Sequence, residues 1–363
     1  MWVCQKELAH PHFFNSFFFR TFDLRRNYFR SEMKRKNKLF FCISLTYPYL
    51  CHMKKTTVFL TCPMFLLLLC CIACGSREPQ LSPEEQRLQK IALIDTTLHD
   101  LVPLDSIEGY DLLADLTAEA WMLVDDSTGF IISQKNADKK RFIASITKMM
   151  TCLLALENGN MDDTLVVTKD VFVNRNCWVK LGDAYRMENL IREMMMMSDN
   201  DAAYTIAKHI GGDTLTFYDM MNQKALYLGM DSTHFANPNG MPNDSNYSSA
   251  SDLVRLSRYC MWDSVFAEIV GTAEADLPLI DGRHLPCYNT NQLLTSYEGC
   301  IGIKTGFTRQ AGNCLASAAT RNGTTLYLVL LGSRSYSSRF KESAILLDYG
   351  FNVMKAYHAN IGK

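Results

Sequence analysis

Apolar residues along this chain fall into two patterns, short runs broken by turns and longer stretches without a break. "AWMLVDDSTGFIISQKN" (Ala120 to Asn136) is of the first kind. Two strand-like runs flank Asp126-Ser127-Thr128-Gly129, which predicts a hairpin. "SITKMMTCLLALENG" (Ser145 to Gly159) is of the second kind: it is mostly apolar, holds no proline and ends in glycine, which predicts a helix. The middle third reads as mostly helical, with loops such as "NPNGMPNDSN" (Asn237 to Asn246). Near the C-terminus, "GCIGIKTGFT", "NCLASAATRNG" and "TTLYLVLLGS" are short apolar runs separated by glycine and polar turns, as in an antiparallel sheet. "RFKESAILLDYGFNVMKAY" (Arg339 to Tyr357) predicts a closing amphipathic helix. Strands at both ends and helices between them predict an α/β sandwich whose first and last segments share one sheet. No internal repeat or low-complexity segment interrupts it.

The N-terminal part follows neither pattern. From residue 75 to 116 the chain reads as a tether, with one helix start at "SPEEQ" (Ser82 to Gln86), where Ser takes the N-cap, Pro the first turn and Glu the third position. Before it, Met53 is followed by Lys54 and Lys55 and then by an uncharged stretch from Val58 to Ala73. That stretch falls short of the roughly 20 residues a membrane span needs and fits the basic and apolar regions of a signal peptide at 53–74. "CIAC" at 71–74 resembles a lipoprotein box in which Cys74 becomes lipidated, although Cys71 stands where such a box usually has leucine. A plain signal peptide or an uncleaved anchor is the alternative. A signal peptide begins at an N-terminus, so residues 1–52 are expected to lie outside the mature protein, with Met53 as the true start. The alternative is a cytoplasmic tail on an anchor.

Charge sharpens that division. Residues 1–55 hold 11 Lys/Arg against 3 Asp/Glu, a net of +8, whereas residues 75–363 hold 26 against 35, a net of −9. A folded part this acidic is a poor nucleic-acid binder, so no such partner is expected. Of 13 cysteines, seven lie at or before Cys74. The other six (Cys152, Cys177, Cys260, Cys287, Cys300 and Cys314) lack C-x-x-C spacing, so neither a zinc site nor any other cofactor is expected.

The chemistry begins at "MMMMSDNDAA" (Met194 to Ala203), where four thioethers abut Ser198, Asp199 and Asn200. These three are helix N-cap residues, which gives an ordinary structural reading. They also give the pattern S-x-N. Ser145-Ile146-Thr147-Lys148 gives S-x-x-K, as do Ser31…Lys34 and Ser338…Lys341, but only Ser145…Lys148 opens a strongly apolar helix. There the hydroxyl and ammonium share a face. Lys304-Thr305-Gly306 gives K-T-G in a strand context. Each pattern is weak alone. Together and in this order they form the signature shared by class A β-lactamases and penicillin-binding proteins.

With its linking segments "VDDSTGFIISQKNADKKRFIASITKMMT", "LGDAYRMENLIREMMMMSDNDAA", "THFANPNGM" and "GIKTGFTRQAGNCLASA", the chain resembles the low-molecular-weight penicillin-binding proteins with D-alanyl-D-alanine carboxypeptidase activity, serine peptidase family S11. The resemblance runs from about Ala120 to Tyr357 and places the catalytic domain at 117–358. It implies an antiparallel sheet flanked by helices on both faces, with an all-helical subdomain. It also implies peptidoglycan stem peptides as substrate, β-lactams as covalent inhibitors and a membrane reached through the N-terminus. The second, all-β domain and C-terminal anchor of some members do not follow Tyr357 in this sequence.

Cleaving an amide through a serine ester needs a base, an oxyanion site and a proton for the leaving amine. Ser145 is the expected nucleophile and Lys148 its base, made neutral by burial and by the nearby charge of Lys304. Ser198 is expected to relay a proton with Lys304, and Asn200 to orient Lys148 and hold the substrate amide. The resemblance assigns the oxyanion site to the backbone N–H groups of Ser145 and Phe307, the latter on an edge strand after Gly306. It turns Thr305 and Arg339 toward the substrate carboxylate. His234 is expected to be structural, since no G-x-S-x-G elbow accompanies it. Two rivals stand beside this reading. A class A β-lactamase needs an E-x-x-L-N glutamate, and Glu268, Glu274 and Glu298 between Asn200 and Lys304 do not begin one. A penicillin-binding sensor without turnover is the other.

Overall fold

The computed structural model describes residues 82–91, 93, 102–173 and 178–361. Residues 1–52, the signal segment, Cys74 and Cys177 lie outside the described residues. The five-stranded sheet is built as the apolar pattern predicts. β1 (Ala120–Asp125) and β2 (Ile131–Lys135) form the early hairpin, and β7 (Cys300–Thr308), β8 (Gly312–Arg321) and β9 (Thr324–Ser333) form the late meander. The spatial order is β2-β1-β9-β8-β7, with every pair antiparallel. β1 pairs with β9 from Ala120↔Leu331 to Asp125↔Leu326, so the two ends of the domain share one sheet. The first hairpin turns because Asp125 Oδ2 accepts from the backbone N–H of Thr128 and from the hydroxyls of Ser127 and Thr128.

Alternation along the strands decides what covers each face. Trp121, Leu123, Leu315, Leu328 and Leu330 point to one side and pack on the long C-terminal helix α9 (Tyr336–Ile361) through Phe340, Leu346, Leu347 and Val353. Met122, Val124, Ala316, Ala318 and Val329 point to the other side and meet the helical half of the protein. That half runs through α2 (Lys148–Asn158), α3 (Met187–Met196), α4 (Asn200–Gly211), α5 (Thr214–Tyr227), α6 (Ala250–Cys260) and α7 (Ser264–Gly271), and the short α8 (Leu293–Ser296) precedes β7. It also carries two small ribbons, β3 (Thr164–Val166) with β4 (Ala184–Arg186), and β5 (Glu274–Pro278) with β6 (His284–Tyr288).

The stretch read as a tether holds helix α1 (Pro83–Lys90), and its capping box is complete. Ser82 Oγ accepts from Glu85 N at 3.1 Å, and Ser82 N donates to Glu85 Oε2 at 2.8 Å. Beyond α1, however, Ile91 joins the core of the helical half, and Val102 and Leu104 join the core under α9. This part of the stretch is packed onto the domain, because its apolar residues are spaced to be buried. Among the described residues no helix is long and apolar enough to cross a membrane.

Candidate active site

Ser145 sits on a 3-10 turn, Ala144–Thr147, that runs directly into α2. Side chains three apart eclipse in such a turn, so the hydroxyl and the ammonium of the S-x-x-K pattern meet more closely than on an α-helix. Lys148 Nζ lies 3.0 Å from Ser145 Oγ. Lys148 is fully buried, and its Nζ also donates to Asn200 Oδ1 at 2.9 Å and to the main-chain oxygen of Asn239 at 2.8 Å. Ala144, just before Ser145, has φ +49°, a conformation unusual for a residue with a side chain. Two glycines press against it. A methyl on Gly240, itself at φ +83°, would fall 1.8 Å from Ala144 O, and one on Gly306 would fall 3.0 Å from Ile143 O and 3.1 Å from Ser145 N.

Asn200 is placed by its neighbour. Asp199 is the N-cap of α4, its Oδ1 accepting from Asp201 N at 2.8 Å and Ala202 N at 3.0 Å. Its Oδ2 accepts from Trp178 N at 2.7 Å and Val179 N at 3.2 Å, so one carboxylate ties a separate loop to the helix that carries Asn200. Asn239 is placed by a self-bonded loop. Asn237 Oδ1 accepts from Gly240 N and its Nδ2 donates to Met241 O, while Thr151 Oγ1 of α2 donates to Pro238 O.

The third side of the site is β7, the edge strand beyond β8. Gly306 brings it against Ser145 N, and Lys304 enters the buried interior. Burial above all, then Lys148 and Arg339, holds the Lys304 ammonium well below the usual lysine range, while Glu193 acts in the opposite sense. Thr305 Oγ1 shares a hydrogen bond with Thr290 Oγ1 at 2.6 Å. Arg339, on the first turn of α9, donates through Nη1 to Gly306 O at 3.2 Å and lies against the rings of Tyr336 and Phe340, at 4.4 and 4.8 Å. The Phe307 side chain is exposed.

Ser145, Lys148, Asn200, Lys304, Thr305, Gly306 and Arg339 therefore converge, from four separate parts of the sequence. Ser198, at φ +65°, stands between the methionine run and Asn200, and its hydroxyl has no hydrogen-bond partner among the described residues. The relay expected between Ser198 and Lys304 is not a direct contact: Lys304 Nζ donates to Thr305 O instead, at 3.2 Å. Asn200 Nδ2, expected to hold the substrate, faces Met241 Sδ at 4.0 Å. His234 binds Ser245 O through Nδ1, a structural role. Met194, Met195 and Met196 are buried in the core. Sequence reasoning missed Asn239, because a main-chain oxygen leaves no mark on residue type, and it missed Glu193, which lies in the core one turn before the S-x-N pattern.

A hydroxyl on a tight turn, a buried amine against it and a glycine-bearing edge strand beside both fit the class of serine-type hydrolases. The family model for D-alanyl-D-alanine carboxypeptidase, peptidase S11, matches residues 109–335. D-alanyl-D-alanine carboxypeptidase DacB2 of Mycobacterium tuberculosis is 33% identical over 262 residues, which cover 69% of this chain and 87% of that protein. D-alanyl-D-alanine carboxypeptidase DacA of Escherichia coli strain K12 is 31% identical over 263 residues, 68% of this chain and 64% of the relative. The crystal structure of the Streptomyces K15 DD-transpeptidase superposes with a TM-score of 0.62 at 32% identity, covering 65% of this chain and 97% of that one. This chain belongs to peptidase family S11, the penicillin-binding D-alanyl-D-alanine carboxypeptidases, and is a serine-type hydrolase of that class.

Proposed function

We propose that the protein removes the terminal D-alanine of peptidoglycan stem peptides through an ester on Ser145. One observation carries the reading: Lys148 Nζ has Asn200 Oδ1 at 2.9 Å and Asn239 O at 2.8 Å as fixed acceptors. Nζ also stands 3.0 Å from Ser145 Oγ, and a neutral amine can keep both of those donations while it accepts the hydroxyl proton. Lys148 takes the hydroxyl proton while Oγ attacks the carbonyl carbon of the penultimate D-alanine. The oxyanion that forms faces the N–H groups of Ser145 and Phe307. Collapse breaks the C–N bond, and the proton taken up by Lys148 passes to the leaving amine through Ser198 and Lys304, joined by a water or by substrate, which returns Lys148 to its neutral form. Water then cleaves the ester. Thr305 and Arg339 receive the substrate carboxylate. A β-lactam follows the first half of this path, its ring opening onto Ser145. The Streptomyces K15 relative is named a DD-transpeptidase, which supports transfer to an amine acceptor as a second outcome of the same ester.

The test is incubation of the full chain with a fluorescent penicillin and, separately, with a D-Ala-D-Ala pentapeptide. A persistent label at Ser145, lost in Ser145→Ala, together with free D-alanine is the expected result. Rapid loss of the label with antibiotic hydrolysis would instead identify a β-lactamase, and labelling without peptide turnover a sensor. We further propose export, with the domain held at the periplasmic side of a membrane through a lipid on Cys74. Release of Cys74→Ala into the soluble fraction is the expected consequence.

A further inference from the structure

Glu193 is a fully buried carboxyl on α3, and neither of its oxygens has a hydrogen-bond partner among the described residues. An ionised carboxylate without donors is among the most costly groups to bury, and a neutral acid is much less so. The surroundings are apolar on its own helix, where Met194, Met195 and Met196 are buried with it. Charged and titratable groups on the neighbouring elements act on it through their fields: Lys148 of α2, Lys304 of β7, Asp199 and Asp201 at the start of α4, Tyr185 of β4 and Cys287 of β6. On the remaining sides Asp276 of β5 pairs with His284, and Glu268 of α7 is taken up by Arg192. Asp199 already holds four backbone N–H groups, so Glu193 is the acid left to respond to the lysines.

We propose that Glu193 is a positioning residue for the proton balance of the site: buried beside Lys148 and Lys304, it exchanges charge with the two amines and so sets how acid the medium must become before Ser145 loses its base. The inference rests on the acyl-enzyme reading above. Burial foremost, then Asp199, raises the Glu193 carboxyl well above the usual carboxylate range, while both lysines pull it down. The influence is mutual. When the amines carry their full complement of protons, an ionised Glu193 stabilises that inactive state. When Lys148 is neutral, Glu193 is most stable protonated. The three groups therefore titrate as one unit. Removing the carboxyl takes away the charge that favours protonated lysine, so the base appears at lower pH.

The experiment measures the second-order rate of Ser145 labelling by a fluorescent penicillin against pH, on the full chain, for the natural protein, Glu193→Gln and Glu193→Met. Both variants are expected to label, with the acid limb of the profile lower by about one pH unit. A purely structural role would lower the rate without moving that limb. Variant limbs that coincide with the natural one, or lie above it, overturn the proposal while leaving the acyl-enzyme reading intact. No labelling of the natural protein at any pH overturns both. Should neither variant fold, infrared spectroscopy with 13C-labelled glutamate decides the matter on the natural protein. A protonated glutamate carbonyl band is expected at neutral pH, and its absence there overturns the proposal.

Discussion

Lys148 shows how a residue's chemistry is set by where its hydrogens go. In solution it is a solvated cation. Here it is buried, with Ser145 Oγ, Asn200 Oδ1 and Asn239 O around Nζ at 3.0, 2.9 and 2.8 Å. General-base action contributes about 10²–10⁴-fold, so Lys148→Ala is expected to slow penicillin labelling by that factor while Ser145 remains in place. Stopped-flow fluorescence checks it, and labelling at the natural rate would remove Lys148 from the mechanism. Gly306 tests the same geometry from the other side. A methyl there meets Ile143 O at 3.0 Å and Ser145 N at 3.1 Å, so the edge strand must retreat by a few tenths of an ångström. Misplacement of about 1 Å can cost about 10² in rate. Gly306→Ala is therefore expected to lose about tenfold in acylation with little change in melting temperature. The side chains of the site were legible in the sequence because hydroxyl, amine and amide identify themselves by type. Asn239 acts through a main-chain oxygen that every residue has, and Glu193 is lost among core positions, so neither could be read there.

At the scale of elements, the site depends on joints more than on helices and strands. Asp199 is the clearest joint: its carboxylate caps α4 and at the same time receives Trp178 N and Val179 N from a loop twenty residues earlier. Loss of an N-cap costs about 0.5–2 kcal/mol, and stranding buried N–H groups adds about 1–3 kcal/mol. Asp199→Ala is thus expected to lower unfolding free energy by about 2–4 kcal/mol. Urea denaturation checks this, and a loss under about 0.5 kcal/mol would show the clamp to be unimportant. The strands of the sheet were legible because both faces are buried and their apolar runs are nearly continuous. The hairpin of β5 and β6 was not, because "EADLP" and "HLPCY" mix charge and proline with single apolar residues, and Leu277 and Cys287 are buried against Met196 only in the fold. The start of α2 was read as α-helix and is a 3-10 turn, since the restraint comes from Gly240 and Gly306, 95 and 161 positions beyond Ser145.

Over the whole molecule, the two cores on opposite faces of the sheet hold together a polar centre that works against stability. Ile91 and Val102 lie in a stretch that looks solvated in sequence, yet each closes one of the cores that shield the centre. Lys304 is where the cost falls most plainly. Its ammonium is held well below the usual lysine range by burial first and then by Lys148 and Arg339. An unfolded lysine titrates at about 10.4. Between the folded and unfolded values the unfolded chain binds more protons, so stability rises with pH across that window. Below the lowered folded value the full penalty is present; above the unfolded value it has gone. Lys304→Met removes the penalty and keeps an apolar chain of similar length, so it is expected to stabilise the protein at neutral pH while abolishing penicillin labelling. At about 2–4 °C per kcal/mol for a domain of this order of size, the gain is readable as a melting-temperature difference between variant and natural protein. That difference should shrink as the pH is raised toward 10. A variant that melts no higher than the natural protein at neutral pH, or a difference that grows with alkalinity, would mean that the Lys304 ammonium is not penalised where it stands.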